Sequence, residues 1–116
     1  YITQHKITHV LNVTHHQHMS SFNHVEYLRI AIDDAPKVNI AEFFDVATAF
    51  IDSARKRPDG RILVHCYAGV SRSVSMVLAY LIRFHECTLL QAFDVVYRNR
   101  PVAQPNEGFA RKLQKY

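Results

Sequence analysis

The chain has 116 residues, 48% of them hydrophobic and 21% charged, and carries a formal charge of +4. That length and balance give one globular domain with one core, and no apolar run approaches the ~20 residues of a membrane span. The charge mildly favours anionic partners, but there is no long basic stretch and the aromatics sit at core spacing, so nucleic-acid binding is not indicated.

Ile7–Val13 (ITHVLNV) alternates apolar and polar residues and predicts a first strand. His15, His16 and His18 fall in the loop that follows it. Tyr27–Ile32 (YLRIAI) predicts a second strand, which opens into Asp33, Asp34 and a DDAPK loop. Ile40, Phe43, Phe44, Ala47, Phe50, Ile51 and Ala54 recur at helical spacing, with Asn39 and Glu42 placed as a capping box. Arg61–Cys66 (RILVHC), after the turn residues Pro58-Asp59-Gly60, predicts a buried strand. Ser73–His85 reads as a strongly apolar, central helix. Thr88–Asn99 reads as another, with Thr88 and Gln91 as its capping box. Asn106 is placed to cap a last helix that turns Phe109, Ala110 and Leu113 inward. Strands alternating with helices, then helices alone, predict an α/β domain: a small central sheet flanked by helices.

The stretch HCYAGVSRS, residues 65–73, carries the chemistry. It runs from a strand through a tight loop into a helix, which gathers backbone N–H groups and the positive end of the helix dipole around one point. Such a point binds a tetrahedral oxyanion, phosphate above all. Gly69 lets the amides turn inward, and the planar fork of Arg72 matches two phosphate oxygens. The same positive groups would lower the pKa of Cys66 and hold it as a thiolate, placed for in-line attack at phosphorus. Ser73 would donate to the sulfur, and His65 would orient the loop. A lone buried thiol is the bland account of Cys66, but Gly69, Arg72 and Ser73 at these offsets have no packing reason to coincide with it. Cys87 has no such neighbours and reads as a packing residue; two cysteines this far apart make no disulfide framework, which favours a reducing compartment. The reaction also needs an acid for the leaving oxygen. Asp33 and Asp34 are both candidates, and their local chemistry does not separate them.

These residues resemble the cysteine-based protein tyrosine phosphatase superfamily, with its H-C-x5-R-S/T signature, and within it the small atypical dual-specificity protein phosphatases. VLNVT, YLRIAI-DD, FFDVATAFID, RILVHCYAGVSRS, AYLI and RPVAQPNEGF carry the likeness from about Ile7 to Leu113. The resemblance implies a dual-specificity phosphatase-like fold and a phosphocysteine mechanism without metal or cofactor. It puts the nucleophile on Cys66, the phosphate-gripping arginine on Arg72, the loop hydroxyl on Ser73 and the general acid on Asp34. Tyr67, Ala68, Gly69, Val70, Ser71 and Arg72 would form the phosphate-binding loop. No lysine or extra arginine occupies its variable positions, which argues for phosphorylated proteins, kinases among them, rather than membrane lipids or RNA. Arg100 would contribute a rim cation for a second phosphate or an acidic side chain; the alternative is a helix-end arginine paired with the dipole. Asn106 and Phe109 would be a cap and a core anchor.

The family's first strand or hairpin is not recognised here, so the expectation for residues 1–116 is a single catalytic domain lacking it, with an unpaired sheet edge. No signal peptide or lipidation motif is visible, which makes the cytoplasm or nucleus the expected location. Two rival readings remain: a phosphoprotein-binding module without turnover, and a metal protein built on His15, His16 and His18. Cys66, Arg72 and an aspartate speak against the first. The second lacks a companion Cys or carboxylate cluster.

Overall fold

The computed structural model describes residues 5–15, 22, 24–67 and 70–116. Three short parallel strands form the sheet: β1 (His9–Asn12), β2 (Glu26–Arg29) and, later in the chain, β3 (Ile62–His65), in the order β2-β1-β3. Val10 lies opposite Tyr27 on one side and Leu63 on the other; Asn12 lies opposite Arg29 and His65. The three predicted strands are thus present, each shorter than its apolar run.

The central strand is the driest. All four residues of β1 are buried, including His9, which is bonded to Thr8 through Nδ1 (2.8 Å) and reaches Glu26 through Nε2 (3.3 Å). A buried imidazole with both nitrogens engaged carries no desolvation penalty for an unmet polar group. β3, predicted as buried, is instead half-exposed at all four positions. Its composition is that of a core strand, but among the described strands it has a neighbour on one side only.

A 3-10 turn (Ile40–Phe43) leads into α1 (Phe44–Lys56), and α2 (Arg72–Phe84) follows β3. The expected capping box at Asn39 and Glu42 is not formed. Asn39 makes no side-chain cap, because the chain enters through the tighter 3-10 turn before reaching α geometry at Phe44. The box at Thr88 and Gln91 is formed at the start of α3 (Leu89–Asn99): Gln91 N donates to Thr88 Oγ1 (3.1 Å) and Thr88 N to Gln91 Oε1 (2.9 Å). Asn106 caps α4 (Glu107–Gln114), accepting from Phe109 N at 2.9 Å. Leu11, Val13, Ile40, Phe44, Met76, Leu78, Phe109 and Leu113 join sheet and helices in the main core. Ile7, Val10 and Val25 form a smaller cluster with Phe22, Tyr27 and Leu63. No helix among the described residues is long and apolar enough to cross a membrane.

The turn into β3 is held by close approach. Gly60 donates to Arg57 O at 3.0 Å, and a Cβ on Gly60 would overlap the carbonyl of Ala54 in the last turn of α1. Gly60→Ala is therefore expected to destabilise the fold by about 1–3 kcal/mol, the usual cost of forced overpacking. Urea denaturation checks this: the midpoint should fall while the slope is unchanged.

Candidate active site

Parallel pairing sends the C-terminal ends of β1, β2 and β3 to one edge of the sheet, where open parallel sheets place their ligands. The pairing continues briefly past the strands: Ile30 N donates to Asn12 O and Val13 N to His65 O, both at 2.8 Å. The loop after β2 carries Asp33 and Asp34; the residue directly after β3 is Cys66.

Cys66 is half-buried, and its Sγ lies 3.2 Å from Ser73 Oγ in the first turn of α2. Ser71 precedes that helix and is buried, but its side chain does not cap it. The Ser71 hydroxyl accepts from Asn106 N at 2.9 Å, and its carbonyl takes both Ser75 N (2.9 Å) and Ser75 Oγ (2.7 Å). The leading amides of α2 are thus left uncapped by the residue best placed to cap them, whereas α3 and α4 are capped by Thr88 and Asn106. The amides at a helix start, with the dipole behind them, favour an anion. Val70 O accepts from Gln104 N at 2.7 Å, which ties the loop to the segment before α4. Ala68 and Gly69 lie outside the described residues, as do His16 and His18.

Arg72 opens α2, and its Nη1 donates to Ile32 O at 3.0 Å, which fixes the guanidinium against the stem of the Asp33–Asp34 loop. The two aspartates then part company. Asp33 Oδ1 meets His15 Nε2 at 2.8 Å, and Arg29 Nη1 holds the His15 carbonyl at the same distance. Asp34 Oδ1 accepts from Asn106 Nδ2 at 2.9 Å. Asp34 is therefore one residue removed from the Ser71 loop, and Asp33 is tied to the segment after β1.

Cys66, Tyr67, Ser73, Val77, Val96 and Arg100 line a hollow of about 420 Å³ beside β3. Tyr67 is 81% exposed there, so its ring stands at the mouth of the hollow. Arg100, at the C-terminal end of α3, shares this hollow with Cys66, whereas Arg72 is bonded to Ile32 and Asp34 to Asn106. No group of three or more His, Cys, Asp or Glu that could hold a metal comes together among the described residues.

Sequence reasoning gave Asn106 the role of a cap and missed its bond to Asp34. A trace was there: an asparagine cap uses its oxygen and leaves two amide protons unused, where aspartate would leave none and serine only its hydroxyl proton.

A cysteine directly after a parallel strand, followed by an arginine and a serine that open the next helix, is the arrangement that marks the cysteine-dependent phosphatase class. The whole chain, residues 1–116, matches the family model described as "Dual specificity phosphatase, catalytic domain". The chain belongs to that family. It is 41% identical over 113 residues to dual specificity protein phosphatase 1 of Arabidopsis thaliana, covering 97% of this chain and 57% of that protein. It is 46% identical over 83 residues to MAP kinase phosphatase with leucine-rich repeats protein 3 of Dictyostelium discoideum, covering 72% of this chain and 10% of that protein. The crystal structure of human DUSP28 superposes with a TM-score of 0.91 at 33% identity, covering 99% of this chain and 77% of that one. The chain thus spans little more than half of the first relative and a small part of the second.

Replacing Ser71 by alanine would strip the Asn106 amide of its acceptor in a partly buried place. Ser71→Ala is expected to lower stability by about 1–2 kcal/mol, the cost of an unmet buried donor. Chemical denaturation measures it.

Proposed function

We propose that the domain hydrolyses phosphate esters on proteins, on tyrosine as well as serine and threonine, through a phosphocysteine on Cys66. The observation that carries this reading is the approach of Cys66 Sγ to Ser73 Oγ (3.2 Å) at a helix start that Ser71 does not cap. Uncapped amides and the Arg72 guanidinium favour a thiolate and a bound phosphate dianion by the same electrostatics.

In the first step the Cys66 thiolate attacks phosphorus in line. The S–P bond forms as the P–O bond to the leaving group breaks, and Asp34 gives its proton to that oxygen. Arg72 and the loop amides bind the three equatorial oxygens, where charge concentrates in the transition state. In the second step water attacks phosphorus, Asp34 takes the water's proton, and the S–P bond breaks. The hydroxyl of Ser73 turns to donate to the departing thiolate. Phosphate and the free alcohol or phenol are the products, and the reaction as written calls for no metal. The bond from Asp34 to Asn106, itself bonded to Ser71, supports Asp34 over Asp33 as the acid.

The loop positions Tyr67, Val70 and Ser71 add no cation beyond Arg72, which favours protein substrates over polyphosphorylated lipids. Arg100, on the hollow shared with Cys66 and Tyr67, is placed to meet an acidic or second phosphorylated side chain. Likeness to a relative named as a MAP kinase phosphatase makes phosphorylated kinases a substrate class to test first.

Hydrolysis of p-nitrophenyl phosphate and of a phosphotyrosine peptide, both with EDTA present, tests the reading. The wild type should turn over both, and Cys66→Ser should abolish both. Asp34→Asn should slow the peptide about 100-fold, the usual worth of a positioned acid, and p-nitrophenyl phosphate much less. Full activity in Cys66→Ser would overturn the mechanism. A folded wild type that binds vanadate without turnover would make the domain a phosphoprotein-binding module.

A further inference from the structure

After Ile30, whose N donates to Asn12 O at 2.8 Å, the chain leaves the sheet, and Asp33 and Asp34 follow in backbone without regular structure. Proton transfer to a leaving oxygen tolerates little misplacement; an error of about 1 Å costs up to ~100-fold in rate. The stem of this loop is gripped through Ile32, whose carbonyl accepts from Arg72 Nη1 at 3.0 Å. A second hold comes from His15, the first of the three histidines that follow β1.

His15 engages the exit of β2 at two points. Its carbonyl accepts from Nη1 of Arg29, the last residue of β2, and its Nε2 meets Asp33 Oδ1, both at 2.8 Å. An ionised carboxylate only accepts, so Nε2 is the donor whether the ring carries one proton or two. Ile32 is buried and Asp33 is exposed, so the clasp closes on the outer face of the loop while Arg72 holds the stem. Both side chains of the pair are exposed, and such a pair contributes little to stability. What it fixes is the place of the loop. With Asp33 held, the Cα of Asp34 lies one peptide unit, about 3.8 Å, from an anchored residue.

We propose that His15 is a positioning residue: by clasping Asp33 it holds the loop from which Asp34 gives and takes its proton. The proposal rests on the reading of Asp34 as the acid. The adjacent aspartates then divide the work, Asp33 as anchor and Asp34 as proton donor.

His15→Ala removes the ring and leaves the carbonyl that Arg29 holds. Urea unfolding should change little. Hydrolysis of phenyl phosphate, whose leaving oxygen needs a proton, should fall about three- to fivefold, in keeping with the modest worth of an exposed pair. Hydrolysis of p-nitrophenyl phosphate should fall less than about 1.5-fold, and inhibition by inorganic phosphate should not move. His15→Gln, whose amide nitrogen reaches about as far as Nε2 of the imidazole, should restore most of the rate on phenyl phosphate. Asp33→Asn keeps the acceptor oxygen and should stay close to the wild type. Asp33→Ala should match His15→Ala, and the double variant should be no slower than either, because the two side chains act as a unit. In the Asp34→Asn background, His15→Ala should have no further effect on phenyl phosphate.

Equal losses on both esters in His15→Ala, or a His15→Gln as slow as His15→Ala, would overturn the proposal. So would no loss on phenyl phosphate in His15→Ala when Asp34→Asn is itself slow on that ester. A slow Asp33→Asn beside a fast Asp34→Asn would show that the reading of Asp34 as the acid is what has failed, and the proposal would fall with it.

Discussion

Parallel pairing of β1 with both β2 and β3 decides where everything else can be. It aligns Asn12 with Arg29 and His65, so the chain leaves β2 toward Asp33 and Asp34 and leaves β3 toward Cys66 at the same edge of the sheet. Cys66 and Asp34, far apart in sequence, are thereby brought to the edge of the sheet where the proposed reaction needs them. Burial of the whole of β1 fixes that alignment, since a one-residue slip would turn each strand's side chains to the wrong face.

Two loops at one edge are not yet a site, because loops drift. The segment from Gln104 to Gly108 joins them. Gln104 and Asn106 bond to Val70 and Ser71 in the loop after β3, while Asn106 and Gly108 meet Asp34 and Pro36 in the loop after β2. Arg72 closes the circuit from the other direction through Ile32. The hydrogen bonds among these contacts give backbone and amide groups their partners, so the same bonds that stabilise the fold also set the geometry. The hydroxyl of Ser71 accepts from Asn106 N and does not cap the start of α2.

How much of this the sequence disclosed follows from the range of each interaction. The box at Thr88 and Gln91 spans three residues and was legible. The matching pattern at Asn39 and Glu42 was misleading, because residue types do not reveal that the chain enters through a 3-10 turn. β3 read as buried because its composition is that of a core strand, and composition does not count neighbours. Cys66 and Ser73, seven positions apart, were placed together correctly from the loop alone. Asp34 and Asn106 are separated by 72 positions, and no periodicity or local rule connects them. Their link needed the fold, as did the division of labour that sends Asp33 to His15.

The central claim is that phosphate passes through Cys66. The direct measurement is a rapid acid quench during turnover of p-nitrophenyl phosphate, followed by mass spectrometry of the digested protein. Ser73→Ala, which should slow breakdown of the intermediate, is the form in which to look. The account predicts the added mass of one phosphoryl group on the peptide containing Cys66, absent in Cys66→Ser. Turnover with no such adduct, or with the phosphoryl group on another residue, would contradict it.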